Sequence, residues 1–197
     1  MNKANKITMS RIIMSIIIIV LLLFPFDQVG FEFPTYLLKE RILIDTKYLI
    51  VGVLFIIASL TDFFDGYVAR KYNMVTDFGK MMDAISDKLL TNSVLIILAC
   101  NGKISTVVAV VIIVRDIVVD SIKMIVGNKG GAVAAINIAK VKTATLMCGI
   151  ILTLFYNLPF ELIPFGVADF LLALAAILSV ISAVKYYIMA KPYLKDR

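Results

Sequence analysis

Histidine and tryptophan are absent from the 197 residues, and there are only two cysteines, Cys100 and Cys148. Without histidine the usual proton carrier near neutral pH is missing, so any general base must be another group. The cysteines fall within or at the edge of apolar runs and have no metal-ligand spacing. That excludes a thiolate metal site and a disulfide framework, and leaves buried free thiols. Charge is scarce as well: 17% of the residues are charged and 61% are hydrophobic, which lies outside the range of ordinary soluble domains. The formal net charge is +6, but the basic residues sit between apolar runs and form no continuous stripe. The expected partners are therefore anionic lipid and anionic substrates, and no nucleic acid.

What the chain has in abundance is long apolar runs. Each helical crossing of a bilayer takes about 20 mostly apolar residues, so a single domain over 1–197 has room for six crossings. The first run, Ile12 to Phe26, follows Lys3, Lys6 and Arg11. It resembles a signal peptide in outline, but no small-residue cleavage site follows it. An uncleaved helix is expected, with a short interfacial lead-in over 5–10. Residues 27–47 read as a mixed polar and aromatic connection. Further helices are expected from Tyr48 through Gly66 to Lys71, from Gly79 to Ala99, from Ile104 to Val126, from Val141 to Tyr156 and from Phe165 to Met189. The expected fold is all-α: a polytopic membrane protein with six transmembrane helices plus a short N-terminal interfacial helix.

Lysine and arginine set the orientation. The N-terminus, the 66–88 and 123–142 connections and the C-terminal tail hold fifteen of the twenty basic residues. Both termini, and whatever site lies between 66 and 88, are therefore expected on the cytoplasmic side of the cell membrane.

The segment from Thr61 to Leu90 carries the chemistry. A helix turns about 100° per residue, which places Asp62, Asp65, Gly66 and Ala69 on one face. The same step places Gly79, Asp83 and Asp87 on one face of the next helix. Carboxylates near a membrane interface repel one another and are costly to desolvate. Hard divalent cations with oxygen ligands offset that cost directly. Glycine and alanine leave room for a ligand, and Arg70 is a cation within reach of a phosphate. Together these describe metal-assisted phosphoryl transfer. The competing readings are helix caps or solvated charges, which suits Asp77, and a polar path for cation transport.

The pattern Asp62-x-x-Asp65-Gly66-x-x-Ala69-Arg70, then eight residues, then Gly79-x-x-x-Asp83-x-x-x-Asp87 resembles the full signature of the CDP-alcohol phosphotransferases. The resemblance extends over essentially the whole chain. It implies that Asp62, Asp65, Asp83 and Asp87 hold two divalent metal ions, Mg2+ or Mn2+. It also implies that Asp87 takes the proton from the attacking hydroxyl. Gly66, Arg70, Thr76 and Gly79 would line the CDP moiety, with Ala69 keeping the site open. The N-terminal Asn5-x-x-Thr8-x-x-Arg11 is similar to the family's lead-in near the nucleotide. The family also implies a homodimer.

The acceptor is read from cations farther along. Arg115 lies inside the fourth apolar run, Lys123 near its end, and Lys140 and Lys142 open the fifth. A pocket of cations there suits the phosphate of a phosphorylated alcohol. Arg115 could instead pair with Asp116 or Asp120, and the two lysines could serve topology alone. Lys140-Val-Lys142-Thr143-Ala144-Thr145 and Arg115-Asp116 resemble bacterial family members that act on glycerol 3-phosphate, with departures at Ala84, Asp116, Lys123 and Ala139. The expected reaction joins CDP-diacylglycerol to glycerol 3-phosphate and releases CMP. The alternatives are inositol phosphate or phosphatidylglycerol as acceptor, or a cation transporter.

Overall fold

The computed structural model describes residues 3–38, 42–71, 77–131, 136–160 and 166–194, with side chains given for all of these except 3–7, 62–71, 77, 78, 80, 83 and 194. Among the described residues there are six helices: α1 (Lys3–Leu23), α2 (Thr46–Lys71), α3 (Asp77–Cys100), α4 (Thr106–Asn128), α5 (Asn137–Leu154) and α6 (Val167–Leu194). α2 to α6 each match one of the expected apolar runs to within about five residues, whereas α1 begins well before the run expected from Ile12. The separate lead-in helix does not appear. Residues 5–10 are the opening turns of α1, which runs unbroken because neither glycine nor proline occurs between Lys3 and Leu23. α1 ends at Pro25, which has no amide hydrogen to continue the ladder.

The connection from α1 to α2 is more ordered than its composition implies. A 3-10 turn, Phe26–Val29, closes on Gly30 at φ 79°, a conformation that glycine adopts without strain. Phe26 makes edge-to-face contacts with Phe24, Phe31 and Phe33 at 4.8–6.0 Å between ring centres. Two strands follow, β1 (Thr35–Leu38) and β2 (Ile42–Asp45), antiparallel with Thr35 opposite Asp45 and Leu37 opposite Leu43. The Thr46 hydroxyl and amide both donate to the Pro34 carbonyl, at 2.5 and 3.2 Å, and fasten the hairpin to the start of α2.

All six helices contribute to one apolar core, including Ile18, Phe55, Leu95, Ile112, Ile150 and Leu172. α6 packs along α4 and α5, and α1 packs against α2 and α3. The α5–α6 contact depends on a missing side chain. A Cβ on Gly149 would stand 2.8 Å from both Cγ and Cδ2 of Leu172, and small residues of this kind let membrane helices approach closely. At the hairpin end, Lys103 Nζ lies over the rings of Tyr48 and Tyr156, at 4.2 and 4.4 Å. The Tyr156 hydroxyl accepts from the Asp45 amide at 2.9 Å. Burial pulls the Lys103 ammonium below the usual lysine pKa, and Asp45 partly offsets that.

The outward faces are apolar too. Ile13, Ile16 and Val20 on α1, Val107, Val110 and Val114 on α4, and Ile177, Val180 and Val184 on α6 are all exposed. A helix apolar all round belongs in a core or a bilayer. Asn137–Leu154 and Val167–Tyr193 are long and apolar enough to cross a membrane, and shorter apolar stretches lie at Thr8–Leu23 and Thr46–Thr61.

Candidate active site

The backbone is continuously helical over 46–71 and 77–100, so the 100° step applies to both halves of the aspartate pattern. Asp62, Asp65, Gly66 and Ala69 share one face of α2, and Gly79, Asp83 and Asp87 share one face of α3. The side chains of Asn5, Asp62, Asp65, Ala69, Arg70 and Asp83 lie outside the described residues, as do the surroundings of Gly66 and the whole of Thr76. Gly79 and Asp87 are described, and both are half-buried.

α1 brings the lead-in residues to this region. Arg11 is buried, with 1% of its surface exposed, and its Nη1 donates to Ser86 Oγ at 3.1 Å. Ser86 is the residue before Asp87, so the contact fixes Arg11 beside the second half of the aspartate pattern. Thr8, one turn earlier on α1, is buried as well. Of the three expected lead-in residues, Arg11 thus touches α3, 75 positions away along the chain.

Asp87 also borders a partly open cavity of about 160 Å³ lined by α3, α4, α5 and α6. At roughly 10–15 Å³ per water this is room for a small polar molecule. Arg115 and Asp116 enter it from α4, and Lys142 enters from α5. Asp116 is shared: Arg115 Nη1 donates to its Oδ1 at 2.8 Å, and Lys142 Nζ lies 2.9 and 3.0 Å from its two oxygens. The guanidinium is fixed further by the Ser179 carbonyl, 3.2 Å from Nε, and by Ser182 Oγ, 2.7 Å from Nη2. Of the two carboxylates weighed as partners for Arg115, Asp116 is the one it binds. Asp120 pairs with Lys88 instead.

Tyr186 closes the far wall. It is buried, its ring carries Lys123 Nζ at 5.0 Å and the Arg115 guanidinium at 5.7 Å, and its hydroxyl accepts from the Ile136 amide at 3.4 Å. Of the four expected acceptor cations, Arg115, Lys123 and Lys142 line the cavity. Lys140 is exposed on α5, outside that lining. Lys88, Asp120 and Tyr186 belong to the wall without having been expected there. Lys88 had a signal, because it directly follows Asp87 in the pattern. Tyr186 had none, since its contacts reach across 50 or more positions.

Counting the wall, four cations (Lys88, Arg115, Lys123, Lys142) face three carboxylates (Asp87, Asp116, Asp120). The surplus is positive, and the cavity suits an anion. The aspartate pattern supplies hard oxygen donors along one face each of α2 and α3, and its last member, Asp87, lines the cavity. That donor set fits divalent ions such as Mg2+ or Mn2+.

Residues 1–183 match the family model described as CDP-alcohol phosphatidyltransferase. The CDP-diacylglycerol–glycerol-3-phosphate 3-phosphatidyltransferase of Bacillus subtilis (strain 168) is 38% identical over 190 residues, covering 94% of this chain and 93% of that protein. The proteins of the same name from Rickettsia bellii (strain RML369-C) and Mycoplasma genitalium (strain G37) are 35% and 36% identical. They cover 72% and 77% of this chain, and 79% and 64% of their own lengths. A family match over nearly the whole chain, on a bundle of apolar helices that carries the aspartate pattern, leads to one conclusion: this membrane protein is a transferase of the CDP-alcohol phosphatidyltransferase family.

Proposed function

We propose that the chain transfers the phosphatidyl group of CDP-diacylglycerol to glycerol 3-phosphate and releases CMP, a step of phospholipid biosynthesis. The observation that carries this reading is the cavity beside Asp87, where Arg115, Lys123 and Lys142 give a cationic wall suited to the acceptor's phosphate. The names of the relatives from Bacillus, Rickettsia and Mycoplasma support the same pair of substrates.

In this reading the acceptor's phosphate rests on Arg115, Lys123 and Lys142, which turns its free hydroxyl towards Asp87. Asp87 accepts the hydroxyl proton as the oxygen attacks the phosphorus that bears diacylglycerol. A new P–O bond forms, the P–O bond to CMP breaks, and CMP leaves with the electron pair. Gly66, Ala69, Arg70, Thr76 and Gly79, with Asn5, Thr8 and Arg11 from α1, hold the CDP moiety. Asp62, Asp65, Asp83 and Asp87 would hold two divalent ions, which when bound neutralise charge on the diphosphate. Arg11 also has a positioning role besides its place near the nucleotide, because its contact with Ser86 fixes α1 against the turn of α3 that carries Asp87. Lys140, outside the cavity, is left to membrane topology.

The reading includes six crossings, both termini and the active site on the cytoplasmic side, and a homodimer. The distribution of basic residues supports the orientation. The test is a panel of acceptors offered to the purified protein with CDP-diacylglycerol, with lipid products and CMP measured. Phosphatidylglycerophosphate formed from glycerol 3-phosphate is the expected product. Turnover only with inositol phosphate or with phosphatidylglycerol would replace the acceptor, and no CMP release with any acceptor would remove the enzyme reading.

A further inference from the structure

The segment between α1 and α2 presents an apolar face that no other described part of the chain covers. In the hairpin register Leu37 stands opposite Leu43, and both are 62% exposed. Residues paired across antiparallel strands share a face, so these two leucines form one outward patch. Ile44, the next residue, is buried and points the other way. Ile44 seats the hairpin, while its partner Tyr36 and the nearby Leu38 stay exposed, so the hairpin offers apolar surface beside the paired leucines as well. Val29 and Phe31, just before it, are exposed as well.

Such a patch is poorly matched to water, and a lone two-stranded hairpin is marginal. This one is held in place by the bonds from Thr46 to Pro34 and from Asp45 to Tyr156. It sits where α1 ends and α2 begins. Both helices carry exposed apolar residues up to that point, Val20 and Leu23 on α1 and Ile50 and Val53 on α2. Whatever apolar layer covers those helices is continuous with the leucine patch. Depth follows from hydrogen bonding. The outer edges of a two-stranded hairpin carry backbone groups without a strand partner, which hydrocarbon cannot satisfy and hydrated headgroups can.

We infer that the 35–45 hairpin is an interfacial anchor, its Leu37–Leu43 face seated among the lipid headgroups and upper acyl chains at the end of the bundle opposite the active site. This rests on the membrane-crossing reading given above, and the experiment separates the two.

Because the chain has no tryptophan, a single introduced one reports alone. Leu37→Trp and Leu43→Trp would be made separately, with Val180→Trp on the exposed middle of α6 as reference. Each full-length protein is reconstituted in phosphatidylcholine–phosphatidylglycerol vesicles containing lipid brominated either near the headgroup or near the chain end. Both hairpin variants should show blue-shifted emission and lose more of it to bromine near the headgroup. Val180→Trp should lose more to bromine near the chain end. Water-like, unquenched emission from the hairpin with a quenched Val180→Trp overturns the anchor and spares the membrane reading. Blue-shifted but unquenched hairpin emission means that protein, such as a second copy, covers the face, and also overturns it. If Val180→Trp is unquenched too, the membrane-crossing reading fails and the anchor falls with it.

Discussion

Arg115→Ala is the most informative single change, because its cost can be worked from the contacts. The guanidinium has five N–H donors. Three are occupied, by the Ser179 carbonyl, Asp116 and Ser182, which leaves two to reach an acceptor phosphate. A hydrogen bond to a charged group contributes about 1.5–3 kcal/mol. At about 1.4 kcal/mol per decade, losing one such bond costs roughly ten- to a hundredfold in kcat/KM for glycerol 3-phosphate. The fold should survive, since Asp116 keeps Lys142 as a partner. Lys142→Ala is the mirror experiment, because Asp116 then keeps Arg115. Arg115→Lys retains the charge but cannot span three partners with a planar fork, so it should recover only part of the loss. The assay is initial-rate kinetics with each substrate varied in turn, normalised to folded enzyme. The acceptor's kcat/KM should fall much further than that of CDP-diacylglycerol. Wild-type acceptor kinetics in both alanine variants, or equal losses for both substrates, would refute the phosphate pocket.

Three other outcomes follow from the proposed function and from the packing of the bundle. Chelation should abolish CMP release and Mg2+ or Mn2+ should restore it, so full activity in excess chelator would rule out metal assistance. Asp62→Asn and Asp83→Asn should weaken metal-dependent nucleotide binding as well as turnover. Asp87→Asn should cut turnover strongly while keeping more of the nucleotide affinity, and near-wild-type turnover there would end its assignment as base. Gly149→Ala should destabilise the enzyme by about 1–3 kcal/mol through overpacking against Leu172, read as a lower thermal-inactivation midpoint, with Leu172→Ala restoring part of it. An unchanged midpoint would mean that α5 and α6 separate freely.

The helices were legible because each is a long apolar run whose ends carry polar or turn residues, and the aspartate pattern was legible because its spacing is local. The hairpin was not. Tyr36-Leu37-Leu38 and Ile42-Leu43-Ile44 are too short and too uniformly apolar to show a period of two, and Lys39-Glu40-Arg41 lacks the glycine or asparagine of a tight turn. The break expected between 5–10 and the first span failed for a similar reason. Polarity changes along α1, but nothing in the backbone interrupts it. In the active site, Arg115 and Lys142 were legible as charges out of place in apolar runs. For Arg115 the partner was narrowed only to Asp116 or Asp120, which lie four residues apart on one helix, and nothing in the sequence marked Lys142 as sharing it. Tyr186 could not be found at all, because an aromatic residue in an apolar helix looks the same whether it faces lipid or two cations.

The sharing of Asp116 has a consequence for how such an enzyme can change. Arg115 binds α6 through Ser179 and Ser182 and binds Asp116 on its own helix, while Lys142 reaches the same carboxylate from α5. Effects at residues that share a partner do not add, so a double-mutant cycle on Arg115 and Lys142 should show strong coupling. Loss of Asp116 would deprive both cations of their shared carboxylate at once, in the cavity proposed to hold the acceptor's phosphate. A lineage that moved to an uncharged acceptor could not do so by neutralising these positions one at a time. It would have to replace the carboxylate and at least one cation together, which makes acceptor choice in this scaffold a trait that switches in blocks.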